Sequence, residues 1–310
     1  KRIKIGTAAV VLPVWQPLRL AEEIAVLDNL IDGRFMCGVG RGYQAYEMAS
    51  FGGDVTESRG KFQETLDILI KAWTSEESFT YKGEFHNIPN PVRVFPQPMQ
   101  KPYPPLWLAG TSVDSMNLAA EMDMMPLSSG MMGQDGMKKQ LGVYVHAMQN
   151  VGKPLTGINL GAQCMTHVAP TDDEAFEMLK YARWQNRAQR GLNRQAIVNG
   201  QVEATPYEGE LGDEEYMDRL FFGSPETVIK KFKKVAEAGA THISNWMMFG
   251  GMPHEDLMRS VRLMGEEVIP ALKDVTPPAG LYQELLQQPL VTNEELQSAR
   301  LARSPRDMPT

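Results

Sequence analysis

Residues 3–42 read IKIGTAAVVLPVWQPLRLAEEIAVLDNLIDGRFMCGVGRG and contain a strand, a helix and a second strand. The first part, Ile3–Leu12, is largely β-branched or apolar with small residues between, which is typical of a strand covered on both faces. Leucine and isoleucine then recur at steps of four, three and four up to Ile31, as in an amphipathic helix. A second apolar strand, Phe35–Val39, follows Gly33. This order and length predict one βαβ unit.

The second strand runs into Gly40-Arg41-Gly42. A cation between two glycines at the carboxyl end of a strand suits an anion, because the missing side chains let backbone N–H groups come close. With Gly38, these glycines also partly match the dinucleotide-binding fingerprint. That fingerprint requires a helix that opens directly from the glycines, whereas the sequence predicts a loop over residues 43–55. A plain glycine-rich turn remains the alternative to an anion site.

Strand-like and helix-like segments alternate along the chain, which predicts an α/β fold with a parallel sheet covered on both faces. The sequence contains six strand–helix units, with strands near residues 3, 35, 105, 125, 158 and 242. A (β/α)8 TIM barrel needs eight units in about 250 residues. We therefore expect a barrel whose first two βα units are absent from this chain.

The predicted barrel domain, N-terminally incomplete, covers residues 1–275, and residues 276–310 form an extended C-terminal tail. The tail contains five prolines and little periodic pattern. The two cysteines, Cys37 and Cys164, lie in apolar strand-like runs and are predicted to be buried free thiols rather than a disulfide.

Composition excludes several classes of protein. With 43% hydrophobic and 22% charged residues, the chain has the composition of an ordinary globular protein. A net charge of −7 argues against nucleic acid as a partner. No apolar run approaches the roughly 20 residues of a membrane span, and no signal peptide is visible. We therefore expect a cytoplasmic protein.

Polar residues suited to a phosphate follow several of the predicted strands. Two of them are arginines, Arg41 and Arg59, and three carry hydroxyl groups, Thr111, Ser112 and Ser115. Barrel active sites gather at the carboxyl ends of the strands, and guanidinium groups, hydroxyls and helix N-terminal amides all suit a phosphate. Alternatively, Arg59 pairs with Glu57 or Asp54 on a solvated surface.

The motifs together resemble the bacterial-luciferase-like flavin-dependent monooxygenases, in particular the luciferase α subunit. The similarity covers about residues 3–272 and is carried by Thr7-Ala8-Ala9-Val10-Val11-Leu12-Pro13, Pro17, Leu27-Asp28, Gly33-Arg34-Phe35, Gly38-Val39-Gly40-Arg41-Gly42, Phe51-Gly52, Ser58-Arg59, Pro105-Leu106-Trp107-Leu108-Ala109 and Gly223-Ser224-Pro225-Glu226. The resemblance implies a luciferase-like barrel in which two βα units precede the strand that matches Ile3–Leu12.

The resemblance also implies FMN as the cofactor, with its phosphate held by the arginines and hydroxyl groups named above. Gly110 stands where luciferase proper has a glutamate, and the resemblance implies a backbone contact there. Ala8-Ala9 matches a non-prolyl cis peptide against the isoalloxazine ring, and Tyr43 lies beside the ring. From the residues alone, the alanines are ordinary packing and Tyr43 is an exposed loop residue. Gly40 replaces a reactive-site cysteine of luciferase, so no thiol role is expected.

The activity that the resemblance implies is that of a monooxygenase. FMNH2 from a separate flavin reductase reacts with O2, and the flavin C4a-hydroperoxide delivers one oxygen atom to an apolar small-molecule substrate. The 20 methionines and the residues Trp15, Trp107 and Trp246 fit an apolar pocket, although core packing explains them equally well. A homodimer is implied by the resemblance alone.

The catalytic residue is left unassigned, because the acid–base histidine of the family lies in the second βα unit, which is expected to precede this chain. Two alternatives stay open: a deazaflavin-dependent hydride-transfer oxidoreductase on the same scaffold, and a non-catalytic flavin-binding relative. The five histidines have no metal-ligand spacing, so no metal site is predicted. Four arginines are predicted on a solvated helix face, with a ligand or subunit contact as the alternative: Arg183, Arg187, Arg190 and Arg194.

Overall fold

The computed structural model describes residues 2–296. The chain divides into two compact units, Lys1–Gly110 and Thr111–Thr310. In both units parallel strands are followed by helices, as the alternating pattern predicts.

The first unit is built around strand β3. Its elements are β1 (Ile5–Gly6), β2 (Val10–Val11), α1 (Pro17–Leu30), β3 (Phe35–Gly40), α2 (Ala45–Ser50), α3 (Ser58–Thr74), β4 (Phe79–Lys82), β5 (Asn87–Val92) and β6 (Leu106–Ala109). Strand β3 pairs in parallel with β1, β2 and β6, and β4 and β5 form an antiparallel hairpin. Helix α1 begins at Pro17, whose fixed φ suits a first helical position, and Gln16 caps it by accepting from Arg19 N.

Two predictions in this unit need correction. The strand expected over Ile3–Leu12 is two short strands that end in a 3-10 turn, and it is not covered on both faces, because Ile3 and Ile5 are 73% and 48% exposed. The loop expected over residues 43–55 contains the six-residue helix α2, which Met48 anchors in the core. Helix α2 begins after the turn rather than directly from Gly42, so the fingerprint remains unmatched.

The second unit is built around strand β8. Its elements are α4 (Val113–Glu121), β7 (Met125–Ser129), α5 (Gly133–Asn150), β8 (Gly161–Val168), α6 (Asp172–Glu177), α7 (Leu179–Asn193), β9 (Ile197–Val198), β10 (Gln201–Val202), α8 (Asp213–Arg219), β11 (Phe221–Gly223), α9 (Pro225–Glu237), β12 (His242–Trp246), α10 (His254–Leu263), a π-helix (Met264–Val268), α11 (Ile269–Ala271) and α12 (Leu281–Leu286). Strand β8 pairs in parallel with β7, β11 and β12, and β9 and β10 form a hairpin.

One face of β8 packs against helix α9. Cys164 and Val168 lie in one buried cluster with Val228 and Phe232 of α9. The helix begins as its sequence predicts, since Ser224 caps it and Pro225 follows. Full burial of a side chain such as Phe232 stabilises the fold by about 2–3 kcal/mol. Both cysteines are buried and free, as predicted.

The C-terminal tail is not extended throughout. Helix α12 packs on α5, with Leu281 and Leu285 only 5% and 2% exposed. Two leucines four residues apart form an apolar stripe on one helical turn, a signal that the surrounding prolines hide. Residues 297–310 of the predicted tail lie outside the described part of the chain. The division into residues 1–275 and 276–310 stays a prediction.

Candidate functional site

Three residues of the first unit fix the backbone beside the predicted flavin-ring contact. The indole Nε1 of Trp107 donates to the carbonyl oxygen of Thr7 at 2.7 Å, and the Thr7 hydroxyl bonds to the backbone of Gly38. A Cβ on Gly38 would lie 1.8 Å from Trp107 Nε1 and 2.0 Å from Thr7 O. Only glycine therefore fits here, and we call Thr7, Gly38 and Trp107 the glycine lock. The sequence singles out Gly38 only as a member of the glycine motif and does not reveal its contacts with Thr7 and Trp107.

The peptide bond from Ala8 to Ala9 directly follows the glycine lock. It is cis, as the resemblance implies. Ala8 is exposed and Ala9 is half-buried. A Cβ on Gly40 would lie at ordinary contact distance, 3.6 Å, from the Cβ atoms of Ala9 and Ala109. Small side chains therefore meet at this end of β3, and contact with a flavin remains a prediction.

Arg41 and Tyr43 follow β3 on an exposed turn. Gly42 has a φ of +74°, and a Cβ there would lie 2.6 Å from Val11 Cγ1, so glycine is required at this turn. Tyr43 is 53% exposed. The next residue, Gln44, is missed by sequence reasoning: its Oε1 is buried without a hydrogen-bond partner among the described residues. Nothing in the sequence pattern distinguishes Gln44 from an ordinary loop residue.

Arg59 is the second residue of α3 and is exposed. The two carboxylates suggested as its alternative partners are held by other groups. Asp54 accepts from the backbone N–H and the hydroxyl of Thr56 at 2.8 and 2.7 Å, which lowers its pKa, and Glu57 pairs with Lys61 at 2.8 Å. Both interpretations of Arg59, the anion site and the surface pair, stay predictions.

The hydroxyl groups predicted at the phosphate lie at the start of α4 in the second unit. Ser112 caps this helix by accepting from Ser115 N at 3.2 Å, and the two serine Oγ atoms are 2.9 Å apart. The pair has two hydroxyl protons and shares one of them, so one remains to be donated to an anion. Thr111 is half-buried beside them. A helix N-terminus with such a donor suits a phosphate.

The tail contributes a further residue to the start of α4. Asn293 Oδ1 accepts from the backbone N–H of Val113 at 2.9 Å. Sequence reasoning misses Asn293, because 180 residues separate the two groups and no local pattern links them. Gly110 is the last residue of the first unit. Convergence of Arg41 and Arg59 with the serine pair on one phosphate stays a prediction.

The two buried cysteines offer no reactive thiolate. Burial raises the pKa of Cys37 to about 12 and also raises the pKa of Cys164, so both thiols stay protonated at neutral pH. Burial lowers the pKa of His167 to about 4, and the imidazole is therefore neutral. Within residues 2–296, no three His, Cys, Asp or Glu side chains are grouped to hold a metal ion, and no helix is long and apolar enough to cross a bilayer.

The prediction of a solvated basic face on α7 is wrong for three of its four arginines, and only Arg194 is exposed. Arg187 donates from Nε and Nη2 to the two carboxylate oxygens of Glu210, both at 2.7 Å. The Arg190 guanidinium lies 3.9 Å from the centroid of the Tyr207 ring. We call this set the arginine clamp: Arg183, Arg187, Arg190, Tyr207, Glu210 and Asp213. The clamp holds the segment between β10 and α8 against α7.

Parallel strands that alternate with helices define an α/β fold of the kind found in TIM barrels. The sequence model of the luciferase-like monooxygenase family matches residues 1–242, and the chain belongs to this family. The resemblance drawn from the motifs is thereby confirmed.

Named relatives agree with this assignment. The oxygenase component of the flavin-dependent trigonelline monooxygenase of Acinetobacter baylyi is 25% identical over 293 residues, covering 88% of this chain and 78% of that protein. The oxygenating constituent of 3,6-diketocamphane monooxygenase from Pseudomonas putida, a type II Baeyer–Villiger monooxygenase solved with FMN, matches with a TM-score of 0.71 and 24% identity. That match covers 90% of this chain and 81% of the other.

A third similar protein uses a different cofactor. An F420-dependent secondary alcohol dehydrogenase, solved with an F420–acetone adduct, matches with a TM-score of 0.70 and 18% identity over 88% of this chain and 81% of that chain. These structures confirm the luciferase-like (β/α)8 barrel fold class. The expectation that two βα units precede the strand matching Ile3–Leu12 stays a prediction. The family includes flavin-dependent monooxygenases and F420-dependent oxidoreductases.

Proposed function

We propose that this chain is an FMNH2- and O2-dependent monooxygenase that inserts one oxygen atom into an apolar small-molecule substrate. The observation that carries the proposal is the family match over residues 1–242. The FMN complex of the diketocamphane monooxygenase constituent and the flavin dependence of the trigonelline enzyme support this cofactor. Bound flavin would supply the activation of O2, and the protein supplies the binding site.

The residues of the chain fit the two ends of FMN. At the phosphate end, the proton left on the Ser112–Ser115 pair and the N-terminal dipole of α4 favour a dianion. Arg41 and Arg59 would add two cations that are able to bind phosphate oxygens bidentately. In this proposal Thr111 and the backbone of Gly110 complete the phosphate contacts.

At the ring end, the work of the protein is to orient the cofactor and exclude water. Ala8, Ala9 and Gly40 would present only small groups to a planar ring, and Tyr43 would cover its edge. The glycine lock holds the carbonyl of Thr7 in place and thereby fixes the backbone against which the ring would rest. Excluding solvent protects a reactive oxygen species from side reactions.

The proposal also includes the surroundings of the enzyme. A separate flavin reductase supplies FMNH2, which agrees with the trigonelline relative being the oxygenase component of its system. Two buried free thiols fit a reducing cytoplasm. A homodimer stays a prediction from the resemblance.

A second candidate is hydride transfer with a deazaflavin, favoured by the likeness to the F420-dependent alcohol dehydrogenase. The two functions differ in cofactor and in the need for O2. Anaerobic titration with FMNH2 and with reduced F420, followed by oxygen uptake after mixing with air-saturated buffer, separates them. We expect tighter binding of FMNH2. Preferential binding of F420 would replace the first candidate by the second, and binding of neither cofactor would refute both.

Variants at the phosphate end make this test specific. Arg41→Ala should weaken FMNH2 binding about tenfold or more, because a charge-assisted contact to phosphate is lost. Arg19→Ala is the matched control, since Arg19 is an exposed arginine that pairs with Glu23 on α1. Equal affinities of the two variants would remove Arg41 from the phosphate site.

A further inference from the structure

The segment that follows α12 returns to the start of α4 in the second unit. Asn293 Oδ1 accepts from the backbone N–H of Val113, the first residue of that helix, at 2.9 Å. We call residues 287–296 the tail strap. The first N–H groups of a helix lie at the positive end of its dipole, where an anion binds. The tail strap therefore lies beside the group of donors to which the cofactor phosphate is assigned.

The tail strap is held on both sides of Asn293. Before it, Leu285 of α12 is 2% exposed, and His146 Nε2 of α5 lies 3.3 Å from Gln288 O. After it, Leu296 is 3% exposed. A segment anchored by a buried leucine on either side moves away only by exposing apolar surface to water. The strap is therefore a fixed neighbour of the helix start.

A local set of hydrogen bonds also orders the turn that carries Asn293. Thr292 N donates to Glu295 Oε2 at 2.7 Å, and Glu295 N donates to Thr292 Oγ1 at 3.2 Å. This reciprocal pair is the arrangement of a capping box. The hydrogen bonds from Thr292 lower the pKa of Glu295, so the box is charged at neutral pH. Asn293 is presented to α4 from this ordered turn.

The donors at the start of α4 are shared between the strap and the serine pair. Val113 N donates to Asn293, and Ser115 N donates to Ser112 Oγ. Nδ2 of Asn293 is bonded to the same carbon as Oδ1, so its two N–H groups lie at the helix start as well. They make no hydrogen bond to the protein within the described residues 2–296. A phosphate bound to the serine pair therefore has the Asn293 side chain as a direct neighbour.

We propose that the tail strap makes this site selective for a terminal phosphate, as in FMN, over a phosphate that continues into a second group, as in FAD or F420. A phosphomonoester ends at its oxygens, whereas a phosphodiester has to lead its second substituent out past the neighbours of the phosphate. Asn293 and its anchored strap obstruct that exit, and a steric obstacle of this kind gives specificity. The inference rests on the proposed function for the position of the phosphate, and it adds the element that distinguishes the cofactors.

Anaerobic equilibrium dialysis of the full chain against three reduced flavins tests the proposal: FMNH2, FADH2 and reduced riboflavin. FADH2 differs from FMNH2 by the adenylate joined to its phosphate, and riboflavin has no phosphate. The wild type should bind FMNH2 at least about tenfold more tightly than FADH2. Asn293→Ala should reduce this ratio about fivefold by tightening FADH2 binding, the effect of one lost contact, and leave riboflavin binding unchanged.

Two further variants make the test specific. Asn150→Ala is the matched control, because Asn150 is an exposed asparagine at the end of α5 whose side chain has no hydrogen bond in the described part of the chain. It should keep the ratio of the wild type. Leu296→Ala loosens the strap at its other anchor and should relax the selectivity in the same direction as Asn293→Ala.

Each outcome supports or overturns the inference. Equal binding of FMNH2 and FADH2 by the wild type overturns it and leaves the proposed function standing, as does a ratio that stays the same in both Asn293→Ala and Leu296→Ala. Riboflavin binding that changes as much as FADH2 binding also overturns it, because the effect is then not at the phosphate. A chain that binds no reduced flavin refutes both proposals. Selectivity for FMNH2 without oxygen uptake refutes the monooxygenase and supports the role of the strap.

Discussion

The glycine lock and the arginine clamp both join distant parts of the chain, but they do so by different forces. In the lock, steric fit leaves no room for a Cβ at Gly38, and neutral hydrogen bonds to Trp107 and Gly38 fix Thr7. In the clamp, ion pairs hold a loop segment. Their side chains are mostly buried, with 24% of Arg187 and 13% of Glu210 exposed. The comparison indicates that the surface beside Ala8 depends on shape, whereas the position of the clamped segment depends on charge.

The prediction with the largest expected effect tests the steric fit of the glycine lock. Gly38→Ala must displace the Trp107 indole or the Thr7 carbonyl, so we expect a loss of about 3 kcal/mol or more in the free energy of unfolding. Gly40→Ala is the control, since its Cβ would meet only ordinary contacts at 3.6 Å and should cost less than about 1 kcal/mol. Urea denaturation measures both. Equal losses of unfolding free energy in Gly38→Ala and Gly40→Ala would show that steric fit does not make Gly38 more sensitive to substitution than Gly40.

The clamp should respond to charge removal. Arg187→Ala leaves the partly buried Glu210 carboxylate without its bidentate donor, and we expect a loss of about 2 kcal/mol. Chymotryptic cleavage at Tyr207 should become faster at the same time. Removal of the exposed Arg19–Glu23 pair by Arg19→Ala should cost about 0.5 kcal/mol or less. Cleavage at an unchanged rate in Arg187→Ala would mean that the segment is held by packing rather than by ions.

A third contact between distant parts of the chain, made by Glu64, combines a charge with backbone hydrogen bonds. Its contribution to stability should depend on pH. Glu64 accepts from the backbone N–H groups of Glu84, Phe85 and His86 at 2.7, 3.0 and 2.9 Å. Burial raises its pKa, but these donors outweigh burial and hold the pKa below its usual value. Glu64→Gln should lower the free energy of unfolding by about 1.5 kcal/mol at neutral pH.

The sign of the pH dependence follows from the lowered pKa. The stabilisation by Glu64 is fully present above the pKa of the unfolded chain, about 4.3, and is lost as the pH falls through the lower folded pKa. The difference between the wild type and Glu64→Gln should therefore be constant from pH 7 to about pH 5 and disappear in acid. A difference that does not change with pH would rule out the carboxylate charge as its cause.

The smallest effect concerns the start of α4. Ser112→Ala removes the cap on Ser115 N and should cost about 1 kcal/mol of stability. Ser115→Ala keeps that cap and should cost less. Under the proposed function both variants weaken FMNH2 binding, because each removes one hydroxyl of the pair. Thermal unfolding and flavin titration of the two variants separate the cap from the cofactor contact.

Local patterns predict much of the fold. The proline at the start of α1, the cap at Ser224 and the apolar stripe of α9 are each visible within one turn of helix. Strand β11 and helix α12 are missed because their apolar residues are few and flanked by loops. The site divides in the same way: position after a predicted strand singles out the serine pair, and the resemblance predicts the cis peptide before Ala9.

What sequence patterns do not reveal depends on contacts between distant residues. The arginines of α7 look solvated because the partners of Arg183 and Arg187 lie 23 or more residues away. Asn293 reaches Val113 across 180 residues. Long-range partners, rather than residue type, decide these roles.

The hydrogen bond from Trp107 to Thr7 makes one of the five tryptophans an internal optical probe of the strand junction. Indole emission responds to the polarity and bonding of its N–H group, and this group is joined to the carbonyl that precedes Ala8. The spectrum of the wild type minus that of Trp107→Phe isolates this signal without an attached dye. Binding of any molecule against Ala8 and Ala9 should change that difference spectrum.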